Sequence, residues 1–352
     1  LTTGLGLVAY INFRPGFSVG YDLFPDGNHH EVRERDYFYI VSFQVWGLMA
    51  GIGLAGLYRW VRERYAAAAE RSGQIAAASV LGLALLPFVL NFRAASRAHG
   101  PEARLARDFA YDLLQSIEPY GIVFTNGDND TFPLWYAQEV EEIRRDVSVV
   151  NLSLGNTDWY IRQLRDNPVR RFVPEQAPWF ASLAPAEPPP RLHSWRDEDI
   201  ATLQPQLLPR SYRFVAGRID HTYPEGTPMY VKDILILRLI QENYRHRPVY
   251  FSITAGSGSW LGLDRYMTQE GLALRIHPLQ PPDTSRLGQG FLGVPLDIPR
   301  TDTLTWQVYR YAGLLEADSL NLDPTNRNIG INLHIAPLSL GQAYQMRGDR
   351  ER

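Results

Sequence analysis

The stretch "TNGDNDTFPLWYAQ" (Thr125–Gln138) sets Asn126, Asp128, Asn129 and Asp130 directly behind the apolar run Gly121–Phe124. Two carboxylates and two amides so close together could hold a metal, bind sugar hydroxyls or cap a helix. Asp128-Asn129-Asp130 has the Asp-x-Asp form with which soluble nucleotide-sugar transferases hold a divalent ion. A divalent metal at Asp128 and Asp130 is therefore one expectation, although three residues specify little. Asn126, Asp128 and Asp130 also open like a calcium loop. Position six is Thr131 instead of Gly and position twelve is Ala137 instead of Glu, which excludes an EF-hand. The competing expectation is structural. Asp130 or Thr131 can cap a helix, and Asp128 and Asn129 can form Asx turns. Asn156, Thr157 and Asp158 repeat the pattern before "WYIRQLRD". Two polar turns at adjacent strand ends would line one crevice, where open α/β sheets bind ligands. Asn126, Asp128, Asn129, Asp130, Asn156, Asp158 and Trp159 are thus candidates for a ligand or acceptor crevice. Trp135, Tyr136, Trp159 and Tyr160 could stack on sugar or peptide, with at least two of them expected in the core.

A second cluster is "GNHHEVRERDYFY" (Gly27–Tyr39). Arginine forks suit phosphate oxygens, so Arg33 and Arg35 could bind a lipid-linked phosphate. Glu31 or Asp36 could orient such an arginine or hold an acceptor hydroxyl. The alternative is an interfacial charged collar with an aromatic belt from Tyr37, Phe38 and Tyr39. His29 and His30 are adjacent, point apart and have no evident third ligand, so no metal is assigned to them. "GSGSW" (Gly256–Trp260) lacks the P-loop lysine and reads as a plain loop. The chain has no cysteine, which removes thiolate chemistry and disulfides.

These clusters need elements to position them. Tyr37 to Tyr58 and Ser72 to Phe92 carry no charged residue. Each is about 20 residues, roughly 30 Å of helix and one bilayer crossing. Gly47, Gly51, Gly53 and Gly56 suit a packed membrane helix better than a soluble one. The Arg-rich loop between the spans, with Arg59, Arg62, Arg64 and Arg71, points to the cytoplasm. Residues 14–36 and everything after Arg93 then lie outside. Arg93, Arg97, Arg104 and Arg107 are a counter-signal to that orientation. "LTTGLGLVAYINF" at the start reads as the last turns of a truncated membrane helix, and hence as the C-terminal part of a larger membrane protein.

Beyond the spans, Ala94–Gln115 has helical spacing. "GIVFT" and "VSVVNLSL" read as strands, each followed by a polar turn and a helix, the first starting at Thr131 and Pro133. That repetition predicts a largely parallel α/β sheet. Residues 168–209 are a Pro-rich excursion. Met229–Tyr244 predicts an amphipathic helix, and "RPVYFSIT" and "LALRIHPL" further strands. The expected division is 1–93 as the end of a polytopic membrane domain, 94–300 as an extracytoplasmic α/β domain, and 301–352 as a helical tail that could begin helix-pair repeats.

A formal net charge of −3 with no long run of one sign excludes nucleic acid as the default partner. Lys232 is the sole lysine, so anion binding would fall to arginine.

Taken together, "RERDYFY", "NGDNDTFPLWYAQEVEEIRRDVSVVNLSLGNTDWYIRQL", "NYRHRPVYFSI" and "WLGLDRYMTQEGLALRI" resemble a bacterial membrane-protein family classed as a domain of unknown function. The resemblance covers nearly the whole chain, and that family is similar to the animal protein O-mannosyltransferases that modify plexin-type receptor domains. The resemblance implies a C-type glycosyltransferase of the bacterial inner membrane, multi-pass, with its C-terminal domain in the periplasm. Such enzymes take sugar from a polyprenyl-phosphate donor and pass it to a protein or glycan acceptor. Their usual catalytic carboxylate lies in the first outer loop, before Leu1, so no catalytic base is assigned here. Two rival expectations are a membrane-anchored, non-catalytic glycan- or polypeptide-binding module, and a metal-dependent sugar transferase acting at Asp128 and Asp130.

Overall fold

The computed structural model describes residues 6, 22–30, 39–66, 70–95, 100–316, 322 and 324–349. The chain divides into two compact units, Leu1–His99 and Gly100–Arg352.

In the first unit, helix α1 (Ile40–Ala66) is 27 residues long, about 40 Å at 1.5 Å per residue. Phe43, Trp46, Met49 and Ile52 are all exposed, so the helix is apolar around its circumference. The second apolar run is α2 (Glu70–Gly82), a 3-10 turn (Leu83–Leu85) and α3 (Leu86–Ala95). Pro87 has no N–H to give the Leu83 carbonyl, and the Leu86 N–H takes that carbonyl instead. The ladder therefore tightens there. Ile40–Tyr65 and Arg71–Phe92 are each long and apolar enough to cross a membrane. Val61, Ala77 and Val80 join α1 to α2. Gly47, Gly51, Gly53 and Gly56 face open space, so their expected role in close packing is not used among the described residues. The truncated helix expected at residues 1–13 lies outside the described residues apart from Gly6.

The second unit corrects one expected element. The helix expected over Ala94–Gln115 does not run through, because Gly100 is extended before Pro101. A residue preceding proline is pushed out of the helical region. A 3-10 turn (Pro101–Arg104) then leads into α4 (Leu105–Ser116). Two strand–loop–helix units follow as expected: β1 (Ile122–Thr125) with α5 (Asp128–Glu139), and β2 (Ser148–Asn151) with α6 (Asp158–Asp166). The Pro-rich excursion holds 3-10 turns, the short α7 (Asp197–Ala201) and β3 (Gln206–Leu207). Next come the hairpin β4 (Tyr212–Ala216) and β5 (Ile219–Tyr223), then β6 (Pro228–Met229), α8 (Val231–Asn243) and β7 (Val249–Ser252).

Strands β8 (Met267–Glu270), β9 (Ala273–Ile276), β10 (Leu287–Gln289) and β11 (Pro295–Asp297) complete a seven-stranded sheet of order β10-β11-β8-β9-β7-β1-β2. The sheet is mixed. Pairing is parallel across β7–β1–β2 and at β11–β8, and antiparallel at the other junctions. Only Gly271 and Leu272 separate β8 from β9, too short a link for a parallel crossover. Gly271 takes φ 61°, which suits glycine in that turn.

The tail is helical: α9 (Ile298–Thr303), a π turn (Leu304–Val308), α10 (Ala312–Leu315), α11 (Pro324–Leu333) and α12 (Ile335–Arg347). Leu340, Ala343 and Tyr344 of α12 pack on Leu296 and Ile298. The main core joins Phe109 and Leu113 of α4, Phe124 of β1, Leu235 and Leu239 of α8, and Phe251 of β7. The rings of Phe124 and Phe251 lie 5.0 Å apart. Burial of such side chains is worth about 1.5–3 kcal/mol each before chain entropy is subtracted.

Candidate functional site

Asp130 is buried and holds the β1–α5 turn together. Its Oδ1 accepts the Gly127 N–H at 2.9 Å, and its Oδ2 accepts the Asn126 N–H at 2.7 Å and the Thr254 hydroxyl at 2.5 Å. The helix therefore starts at Asp128, three residues before the expected Thr131. Asp130 reaches back from the first turn to Gly127 instead of sitting at the cap position itself. Thr131 points inward, its hydroxyl 2.7 Å from that of Thr125 and 3.1 Å from the Asn151 amide. The Ser252 and Thr254 hydroxyls, 2.6 Å apart, tie the same turn to β7.

The two polar turns do come together. Ser153 donates to the Asn126 carbonyl at 2.9 Å. The Asn156 side chain accepts the Lys232 N–H at 3.2 Å and donates to the Leu152 and Ser153 carbonyls. Asp158 pairs with Arg162 at 3.7 Å, one turn on along α6. Asp128 and Asn129 are exposed in the first turn of α5, where the helix dipole favours a carboxylate. Asp128 and Asp130 thus have different environments. Three of the roughly four acceptor directions of Asp130 are already used within the fold. Arg33, Arg35, Glu31 and Asp36 lie outside the described residues. The loop Gly256–Trp260 has the Trp260 indole donating to the Ala255 carbonyl at 2.6 Å.

Beside these turns, a groove runs between α5 and α6 along edge strand β2. It encloses about 530 Å³, within the usual range for small-ligand sites. Trp135, Gln138 and Glu139 face it from α5, and Trp159, Tyr160 and Gln163 from α6. Val147 to Val149 form its floor, and Asn167, Arg145 and Arg170 lie at its far end. Tyr160 is buried and Trp135 half-buried, whereas Trp159 is 55 % exposed and Tyr136 50 %. Of the four aromatics, two pack and two face outward. The Trp159 and Tyr160 rings meet edge-on at 5.6 Å, and Trp135 and Tyr160 lie 6.4 Å apart.

The floor is an edge strand with several of its outward polar groups covered by side chains. The Asn151 N–H donates to the Tyr160 hydroxyl at 2.8 Å, and that hydroxyl donates to the Val149 carbonyl at 3.4 Å. Gln138 donates to the Arg144 and Val147 carbonyls at 2.9 and 2.8 Å. Burial pushes the Tyr160 phenol well above its ordinary pKa, so it stays neutral and keeps its proton. A ligand strand would have to displace these side chains to pair with β2, so recognition here falls to side chains rather than to strand addition. Aromatic faces suit the C–H face of a sugar ring or an apolar side chain. The amides and Arg145, which pairs with Glu139 at 3.3 Å, suit hydroxyls and peptide groups.

Gln138, Gln163, Asn167 and Arg170 were not among the sequence candidates. A signal for two of them exists: "WYAQ" and "WYIRQ" put a tryptophan and a glutamine three or four residues apart on both helices. Residues three and four apart share a helix face, so both repeats direct the same chemistry into one groove.

No curated protein and no solved structure matches the chain. A protein-family model does match, over residues 106–170 and 201–290. Both segments lie in the second unit, and the first contains both helices of the groove. The interval between the segments falls within the Pro-rich excursion, which is how an insertion in a shared fold would align. In these two segments the chain is similar to TMEM260-associated domain 2.

Proposed function

We propose that this chain is part of a glycosyltransferase of the bacterial inner membrane that uses a polyprenyl-phosphate sugar. Its second unit would lie in the periplasm and recognise the protein or glycan acceptor in the groove between α5 and α6. The observation that carries this reading is the groove itself: Trp135 with Gln138 on one side and Trp159, Tyr160 and Gln163 on the other, over an edge strand partly covered by side chains. Two helices fit to cross a membrane on the same chain agree with a lipid-linked donor. Arg33 and Arg35, with Glu31 and Asp36 beside them, would hold the donor phosphate. A non-catalytic, membrane-anchored glycan- or polypeptide-binding module is the second reading, because the groove supports binding without bond-making. A transferase with a divalent metal at Asp128 and Asp130 is less favoured, since Asp130 is committed to the turn.

The test uses full-length protein in membranes with radiolabelled polyprenyl-phosphate mannose and a periplasmic protein extract. Label transfer should be lost in Arg35→Ala and kept in Asp128→Ala. No transfer from wild type with any sugar tried would favour the binding module. The membrane part is checked separately. Ile52→Arg should cost about 2.5–3.5 kcal/mol of insertion at the helix centre, read as protein lost from the carbonate-resistant membrane fraction.

A further inference from the structure

At the end of the sheet where β1 and β7 begin there is a second cavity, of about 490 Å³. Arg247, on the loop from α8 to β7, lines it and is only 4 % exposed. Its Nη2 donates to the Pro190 carbonyl, but its buried Nε and Nη1 have no hydrogen-bond partner among the described residues. A guanidinium is always charged and is costly to bury without an anion. Burial lowers the Arg247 pKa to about 10, with no compensating carboxylate beside it among the described residues.

The neighbouring charges do not supply one. Glu118 is the one carboxylate among the lining residues, and Arg275 holds both its oxygens at 2.5 and 2.9 Å. Arg275 also pairs with Glu270 at 3.4 Å. His277 sits 2.7 Å from the Thr268 hydroxyl; burial, aided by Arg275 and Arg218, lowers its pKa to about 4, so it is neutral. Arg245 at the mouth donates to the Tyr244 hydroxyl at 2.9 Å. Three arginines against one glutamate leave the lining at about +2. The space exceeds that of a bare oxyanion, and Pro248, Pro278 and Leu279 give it apolar walls.

We infer that this cavity is a binding site for a small organic anion, a phosphate or carboxylate on an organic body, whose oxygens pair with Arg247. The site is separate from the groove between α5 and α6 and does not depend on its role. The full chain in detergent micelles would be titrated with inorganic phosphate, glycerol 3-phosphate and glucuronate at constant ionic strength, read by calorimetry. At least one of the two organic anions should bind saturably and at least tenfold more tightly than inorganic phosphate. Binding only of glycerol 3-phosphate assigns a phosphate ligand, and only of glucuronate a carboxylate. Arg247→Gln should weaken that binding at least tenfold. Should Arg247→Gln fail to fold, arginine-labelled wild type decides: one buried Nε–H resonance should shift saturably with the anion. No saturable response from any of the three anions, unchanged binding in Arg247→Gln, or no shifted Nε–H would overturn the inference.

Discussion

Asp146→Ala should destabilise the second unit by about 3–5 kcal/mol, measured as a lowered urea midpoint of the full chain in micelles, followed by tryptophan fluorescence. Arg144 is fully buried, and its Nε and Nη2 meet the two Asp146 oxygens at 2.9 Å each. Its Nη1 donates to the Leu114 and Ile117 carbonyls at 3.0 and 2.8 Å, closing the end of α4. Phe172 and Phe180 lie against the guanidinium, their centroids 5.3 and 5.5 Å away. Asp146 also takes the Tyr120 N–H at 3.0 Å. Removing the carboxylate leaves a buried cation and an orphaned N–H together. Arg144→Met should cost a similar amount, since it strands the carboxylate and two carbonyls. The double substitution should cost less than the sum of the two, by roughly 0.5–3 kcal/mol of coupling. Additive losses would mean that the pair is not one unit.

Trp159→Ala should weaken acceptor binding by about 1–3 kcal/mol, roughly 5- to 150-fold, with little change in stability. The stability half follows from exposure: the indole is 55 % open and shields little core. Tyr160→Phe should behave in the opposite way. It removes the hydroxyl that covers the Asn151 N–H and the Val149 carbonyl, so it should cost stability, about 1–3 kcal/mol, while keeping the ring at the groove wall. Equal effects of the two variants on binding and folding would contradict the division of labour between the two rings.

Much of this architecture was legible in the sequence because it rests on period and punctuation. The apolar runs at Tyr37–Tyr58 and Ser72–Phe92, the two strand–loop–helix units and the helix at Met229–Tyr244 all carry strong patterns. Strands β10 and β11 were not read, because they are three residues each in a Pro/Gly-rich segment where no alternation can build up. The antiparallel half of the sheet follows from Gly271, whose turn has no sequence signature beyond a single glycine. At the site, the gathering of Asn126, Asp130 and Asn156 was legible from spacing. The function of Asp130 was not. A carboxylate that reaches back to its own turn and one that faces a ligand have the same sequence, and only the Thr254 and Gly127 partners separate them. Gln138 and Gln163 were hidden for a different reason: amides on a helix read as solvent-facing until the groove they share is known. Arg247 was equally silent, because an unpaired buried cation is defined by what fails to surround it.

The most direct measurement of the central claim is an acceptor saturation curve for sugar transfer by full-length protein in membranes, wild type against Trp159→Ala. With acceptor recognition in the α5–α6 groove, KM for acceptor rises at least fivefold while kcat stays within about twofold, as expected when an interaction common to ground and transition states is removed. An unchanged KM for acceptor, with transfer intact, would contradict it.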